Sequence, residues 1–369
     1  MQLRESNNNQ ENLPTLSNQI KINNKCDQEF LKPIAIKFQA KVNKNIQTAL
    51  KHKFHQEYKA SIKGINTQFD LDFMVENCIG SGSTGASFKA CSTKQRGKQF
   101  ALKFLMEKKA KDLKSHHKRA KNEIKIQYNL KSPYITQIFG YYTLNNDYCI
   151  VQDYEQLGDL NSFQKNVLKG GNFNENLLLL LSNNILKGLK HLYEMKICHF
   201  DIKKDNILVD EFFNFKLSDF SVSDSYFGLK SVFLKNIGTG CYISPENFNK
   251  CEISAEDVIK VDLWSFGILL YKLANNERFP FSLSGKEQSL EEIQLKINNN
   301  YLNIDDLNVS EDLKDLIFNL LKKNIKERIS FEKVLSHPWM VKSNELTETK
   351  NKYGDNLKFM IDVLYNKVF

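Results

Sequence analysis

Nothing in this chain stays apolar for the ~18 consecutive residues that crossing a bilayer requires. Even the leucine run Leu177–Leu181 is only five residues long. Met1–Gln10 has neither the apolar core of a secretory signal nor the glycine that N-myristoylation needs. The seven cysteines (26, 78, 91, 149, 198, 241 and 251) are odd in number and scattered, with no Cys-x-x-Cys pair. That pattern argues for reduced thiols in place of disulfides or a zinc site. There is no EF-hand loop and no internal repeat. Together these absences predict a cytoplasmic protein, with the nucleus left open.

The 369 residues exceed one small domain and suit a large two-lobed domain with extensions. With 41% hydrophobic and 26% charged residues, the composition is that of a soluble globular protein. The net charge of +9 is unevenly placed: residues 1–70 carry 11 Lys/Arg against 6 Asp/Glu, while the last 29 residues are near neutral. Residues 1–30 are rich in Asn, Gln and Lys and too poor in apolar residues to fold alone. Ile34, Ile36, Phe38, Val42 and Ile46 outline an amphipathic segment within 31–64. We expect 1–70 to form a basic, largely disordered extension suited to an acidic partner or an anionic membrane surface. Its aromatic residues do not interleave with the lysines in a stacking pattern, which argues against nucleic acid; a solvated tail is the plain alternative.

From about Leu71 the texture changes. Short β-like runs at 73–79, 86–92, 99–105 and 148–154 surround one charged helical stretch near 107–130. After Glu155 the pattern turns helical, as at 174–195 and 253–277. Strands with one helix followed by many helices predict an α+β molecule in two lobes.

Ile79-Gly80-Ser81-Gly82-Ser83-Thr84-Gly85 contains Gly-x-Gly-x-x-Gly. Alone it fits a dinucleotide fold or a flexible turn equally well. The β-like sequence on both sides favours a hairpin whose backbone N–H groups close over ATP phosphates, where a Cβ would block their approach. Lys103 follows about 20 residues later among Phe100, Ala101 and Leu102, and Glu123 in the helical stretch is its natural ion-pair partner.

The densest chemistry lies between His199 and Phe220. The run His-Phe-Asp-Ile-Lys-Lys-Asp-Asn at 199–206 precedes Asp219-Phe220-Ser221. Asp201 supplies a base for a hydroxyl proton and Lys203 a cation for phosphate. Asn206 and Asp219 supply oxygen ligands for Mg²⁺.

These stretches resemble the catalytic and metal-binding loops of eukaryotic protein kinases, in order and over roughly 71–340. The resemblance implies a bilobal kinase fold with an N-lobe at 71–154 and a C-lobe at 155–340, leaving 341–369 as a tail. It implies Mg·ATP as phosphoryl donor and protein substrates as acceptors. Gln152-Asp153-Tyr154-Glu155 is similar to a kinase hinge, with the Asp153 carbonyl and Glu155 N–H on the adenine edge, Gln152 as gatekeeper, and Ala101 and Leu208 around the ring. Ser87 stands where the family usually has valine, at a cost on the order of 1 kcal/mol in apolar contact. Lys203 and Thr239 resemble the serine/threonine branch. Asp205 and Asp159 resemble acidic sites that receive basic residues upstream of the phosphoacceptor. Ser244-Pro245-Glu246 resembles the end of an activation segment, with Arg328 as partner of Glu246, and Asp262 heads a helix tied back to the catalytic loop.

Two departures bear on regulation. Phe200 replaces the arginine that usually precedes the catalytic aspartate and meets an activation-loop phosphate. Its loss predicts activity without that phosphorylation, modification of Ser223, Ser225 or Ser231 having little effect. Ser221 replaces the glycine that lets the loop flip, and restricts it. The rival readings are a kinase-like scaffold without catalysis, drawing on Ser87, Phe200 and Ser221, and a dual-specificity enzyme.

Overall fold

The computed structural model describes residues 73–342 apart from 82–84, 93–96, 106–112, 145–146, 235, 250 and 287–288. The basic extension 1–70, nearly all of the 341–369 tail, and Gly82, Ser83 and Thr84 lie outside the described residues. The first lobe is a five-stranded antiparallel sheet of order β1-β2-β3-β5-β4 with one long helix. Its elements are β1 (Phe73–Ser81), β2 (Gly85–Ser92), β3 (Gln99–Leu105), α1 (Leu113–Asn129), β4 (Ile138–Leu144) and β5 (Asp147–Asp153). Phe88, Phe100, Leu102, Phe104 and Ile150 are buried on its strands. Gly85 is required by the sheet itself: it pairs with Leu105, and an added Cβ would lie 1.7 Å from the Phe104 carbonyl oxygen.

The second lobe is helical around a few short strands. It runs β6 (Gly158–Asp159), α2 (Leu160–Asn166), α3 (Glu175–Glu194), β7 (Ile197–Cys198), β8 (Ile207–Val209), β9 (Phe215–Leu217), β10 (Asp224–Ser225) and β11 (Ser231–Phe233). It continues with α4 (Pro245–Phe248), β12 (Glu252–Ser254), α5 (Ile259–Ala274), α6 (Leu290–Asn299), α7 (Glu311–Leu320) and α8 (Phe331–Leu335). The leucine run of α3 is buried, and α5 carries Leu263, Trp264 and Phe266 through the centre of the core. Polar N-caps start the helices: Asp159 accepts from Ser162 N, Asn174 from Leu177 N, Ser310 from Leu313 N and Ser330 from Lys333 N.

The α+β expectation is met, with corrections in detail. The helix expected over 253–277 occupies 259–274; Glu252–Ser254 is a strand because it finds β11, a partner twenty residues earlier in the chain. Strand β4 completes the sheet and has no counterpart among the β-like runs of the sequence.

Candidate active site

Two clusters of polar side chains face the region between the lobes, built from five elements. In the first, β3 carries Lys103 and α1 carries Glu123, with Lys103 Nζ 2.6 Å from Glu123 Oε1. Asp219, just beyond β9, places Oδ1 3.3 Å from the same ammonium. Burial works against the Lys103 charge, but the Asp219 and Glu123 carboxylates outweigh it and hold the ammonium above the usual lysine range. Burial opposes the Asp219 charge as well; Lys103 and Ser221 overcome it and hold that carboxyl well below the carboxylate range. Glu123 is fully buried and its Oε2 finds no partner among the described residues, so burial pushes its carboxyl up to about 7.

The second cluster joins the loop between β7 and β8 to Thr239, which lies between β11 and α4. Thr239 Oγ1 donates to Asp201 Oδ1 at 2.6 Å, and Lys203 Nζ donates to Thr239 Oγ1 at 2.6 Å. Lys203 also pairs with Asp201 Oδ2 at 2.8 Å. Asn206 Nδ2 donates to both the Asp201 carbonyl and Oδ2 at 2.8 Å, which orients the carboxylate from behind. The clusters are joined by backbone: Ser218 N–H donates to the Asn206 carbonyl at 2.9 Å, and His199 Nε2 lies 3.0 Å from the Ser218 carbonyl. The His199 ring packs on buried Phe220 at 4.7 Å between centroids.

Here the backbone enters the left-handed region at two points, one on this loop and one just beyond β9. Phe200 has φ +65° and Asp219 φ +61°, a region that costs a bulky residue on the order of 1–3 kcal/mol. Buried Asp262, at the start of α5, accepts the His199 and Phe200 N–H groups at 2.8 Å each and so fixes the first of these bends. Gly238 answers it from across the loop: at φ +118°, any Cβ there would lie 2.6 Å from the Phe200 carbonyl oxygen.

The residues expected around adenine also gather here. Ala101 is buried on β3 opposite Gln152, and Leu208 lies half-buried on β8. Ser87 pairs with Gly80 on one side and Lys103 on the other. Ile79 is 43% exposed at the rim of the glycine loop. Asp153 Oδ2 accepts from Gln137 N–H, so its side chain points away toward β4. Glu155 is buried and paired with Lys216 of β9 at 2.9 Å and 3.0 Å; burial pushes its carboxyl up to about 7 against the pull of that lysine. Lys216 escaped the sequence reading, although a single lysine between Phe215 and Leu217 was the available signal. Asn122 was missed as well; its Nδ2 ties α1 to the Ser223 carbonyl at 2.6 Å.

Farther out, Arg328 and Glu246 meet in a two-pronged pair, Nη1–Oε1 at 2.8 Å and Nη2–Oε2 at 2.9 Å. Asp205 is exposed, whereas Asp159 is engaged as the cap of α2. Ser223 corrects the sequence view of the loop hydroxyls: it is buried and donates to the His199 carbonyl, so it is not an accessible modification site.

An ammonium poised over a buried glutamate beside a carboxylate, next to an aspartate held by Lys203, Asn206 and Thr239, is a phosphoryl-transfer arrangement. The protein kinase domain family matches residues 73–340. The chain belongs to the protein kinase family. It is 31% identical over 269 residues to serine/threonine-protein kinase PLK4 of Xenopus tropicalis, covering 73% of this chain and 27% of that one. It is 30% identical over 302 residues to serine/threonine-protein kinase cds1 of Schizosaccharomyces pombe, covering 79% and 62%. To the Aurora kinase of Patiria pectinifera it is 30% identical over 269 residues, covering 73% and 62%. The kinase therefore spans between about a quarter and three-fifths of these relatives' own lengths. A kinase domain implies ATP as the nucleotide. Among the described residues no helix is long and apolar enough to cross a membrane.

Proposed function

We propose that the protein transfers the γ-phosphoryl group of Mg·ATP to serine and threonine hydroxyls of protein substrates. The single observation that carries this reading is the bonded group Asp201–Lys203–Asn206–Thr239, lying one backbone step from the Lys103–Glu123–Asp219 triad. Asp201 is the base that receives the substrate hydroxyl proton, through an oxygen oriented by Asn206 and Thr239. Lys203 turns from Asp201 to the transferring phosphate, and Lys103, braced by Glu123, holds the α- and β-phosphates. The hinge backbone at Asp153 and Glu155 takes the adenine edge, with Ala101, Ser87 and Leu208 against the ring and residues 79–85 over the phosphates.

The donor set fits Mg²⁺. Asp219 is kept ionised, and Asn206 uses Nδ2 for Asp201, leaving its amide oxygen for a hard cation. Asn206 and Asp219 would hold the ion, with phosphate oxygens and water as its further oxygen ligands. The ion neutralises charge on the phosphates when bound.

Activity does not require activation-loop phosphorylation in this reading, because the arginine that would receive the phosphate is replaced by an apolar anchor. Phe200 is buried with Cys198, Tyr226, Leu234, Ile253, Val258 and Val261, and the small cavity beside it has Asp224 as its one charged lining residue. A phosphate there would meet a carboxylate and no cation. The loop is held instead by β10 on β7, β11 on β12 and the Asn122 bond. Substrates carry a basic residue upstream of the acceptor, read by exposed Asp205; a peptide array without that preference removes this part.

Purified protein with labelled ATP and Mg²⁺ should phosphorylate itself or a basic protein, and Asp201→Asn should lose about 10²–10⁴ in rate. Nucleotide binding without any transfer would favour the scaffold reading. Abolition of activity by phosphatase treatment would remove the phosphorylation-independent part alone.

A further inference from the structure

The helix that brings Glu123 to Lys103 is itself strongly basic. Residues 108–125 contain eight Lys/Arg against two Asp/Glu, a net +6 within a chain of +9. One of those two acids is Glu123, which is fully buried on Lys103 and gives the surface nothing. The outer face of α1 presents Lys118, Arg119, Lys121 and Lys125, all exposed, and none forms an ion pair with a described residue. Lys118, Lys121 and Lys125 recur at the spacing of one helix face and span ~10 Å along it, with Arg119 alongside. Four unneutralised cations so close repel one another, and a helix is less stable for carrying them without compensation.

We propose that this face of α1 docks an Asp/Glu-rich segment of a partner protein. Charge complementarity selects that occupant over the alternatives. This chain cannot supply it: residues 1–70 are themselves basic, with 11 Lys/Arg against 6 Asp/Glu, and 341–369 carry five against four. A second copy brings the same net +9 and is repelled. A bilayer surface would call for apolar side chains between the cations, yet Ala120, Ile124 and Ile126 of this helix are buried inward. Stacking on nucleic acid bases would call for aromatic residues within the stripe, and Lys118–Lys125 contains none. An extended acidic segment of a few residues matches the length and sign of the stripe.

The location gives docking a consequence. The same helix holds Glu123 on Lys103 at 2.6 Å and reaches the Ser223 carbonyl through Asn122 at 2.6 Å. An occupant that neutralises the outer face steadies the inner one, and so raises phosphoryl transfer. That consequence rests on the proposed role of Lys103. The binding measurement is therefore run without nucleotide, so that failure of docking and failure of the catalytic reading are told apart.

The full chain is titrated into a short fluorescein-labelled oligo-glutamate peptide and followed by anisotropy at low and physiological salt. Binding should weaken as salt rises and fall about tenfold or more in the variant Lys118→Glu/Arg119→Glu/Lys121→Glu/Lys125→Glu. The matched control Lys190→Glu/Lys230→Glu/Lys286→Glu/Lys333→Glu, with the same charge change at other exposed lysines, should bind as the wild type does. If the glutamate variant fails to fold, the four glutamine substitutions at the same positions carry the test and should still show the loss. Equal loss in the control, no binding at low salt, or tighter binding to duplex DNA or to phosphatidylserine vesicles than to the peptide would each overturn the proposal.

Discussion

At the scale of single residues, Phe200 carries the most unexpected load. It occupies a left-handed backbone conformation that glycine or asparagine would accept more easily, yet its ring is 5% exposed within an apolar cluster. Two opposing effects meet here. The bend costs on the order of 1–3 kcal/mol, while truncating a buried phenylalanine costs ~3–5 kcal/mol. The packing wins, with the Asp262 carboxylate holding the N–H groups of the bend. Phe200→Ala should therefore destabilise the fold by ~3–5 kcal/mol in urea titrations, and Phe200→Leu by clearly less. The sequence disclosed an apolar ring directly before Asp201; where that ring would go depended on β10, β11 and α5 converging, which no local pattern encodes. By contrast Lys103, Glu123, Asp201, Lys203, Asn206 and Asp219 stood out in the sequence as candidates, because the proposed chemistry constrains residue type and spacing together, and the structure brings them into two clusters.

At the scale of elements, the strands and helices follow from periodicity except where a distant partner decides. Strand β4 reads Ile-Phe-Gly-Tyr-Tyr-Thr-Leu, but its register on β5 shifts between Ile138 and Gly140, and that irregularity breaks the period-two signal. The start of α5 shows electrostatics at an element end. Asp257 lies just before the helix, takes the Ser254 hydroxyl at 2.7 Å and Lys260 at 3.1 Å, and pairs with Lys326. Burial opposes its charge, but these partners overcome it and bring its carboxyl down to about 2 from the usual 3.8. Because the folded value is the lower one, this stabilisation is fully present above about pH 4 and is lost as the pH falls toward 2. Asp257→Asn should lower the melting temperature at neutral pH, and the gap from wild type should close across that acid window. The start of α4 rests on a different balance. Arg328 is 2% exposed and bonds Glu246 as well as the Lys260 and Lys322 carbonyls. Arg328→Met leaves Glu246 buried without its partner and should cost ~3–5 kcal/mol. Arg328→Lys keeps the charge but loses the fork, and should fall between the two in thermal unfolding.

At the scale of the whole molecule, the first cluster spans the two lobes and the second lies in the helical lobe, and a backbone link, Asn206–Ser218 with His199 and Phe220 stacked beside it, joins them. Lys103 and Glu123 come from the sheet and α1, whereas Asp201, Asn206 and Asp219 hang from the helical lobe through Asp262 and α5. The sequence offered both sets of residues as candidates, in their order along the chain. It did not disclose that Asp219 bonds across to Lys103, which depends on how one lobe faces the other, nor that Glu155 pairs with Lys216 of β9, sixty-one residues later in the chain. On the proposed adenine-edge role of Glu155, Lys216→Met should raise the Michaelis constant for ATP more than it lowers the turnover number, since Lys216 pairs with Glu155 and not with the proposed reacting groups.

The apolar seat of Phe200 also sets how this enzyme should respond to its surroundings. A loop latched by a phosphate and an arginine loosens as ions are added and changes little over a modest range of temperature. A loop latched by buried rings and aliphatic chains is driven by water release, which weakens on cooling and is strengthened by sulfate. Ordering of residues 224–234 should thus fade in the cold and hold in concentrated kosmotropic salt, making chill the condition that slackens this segment.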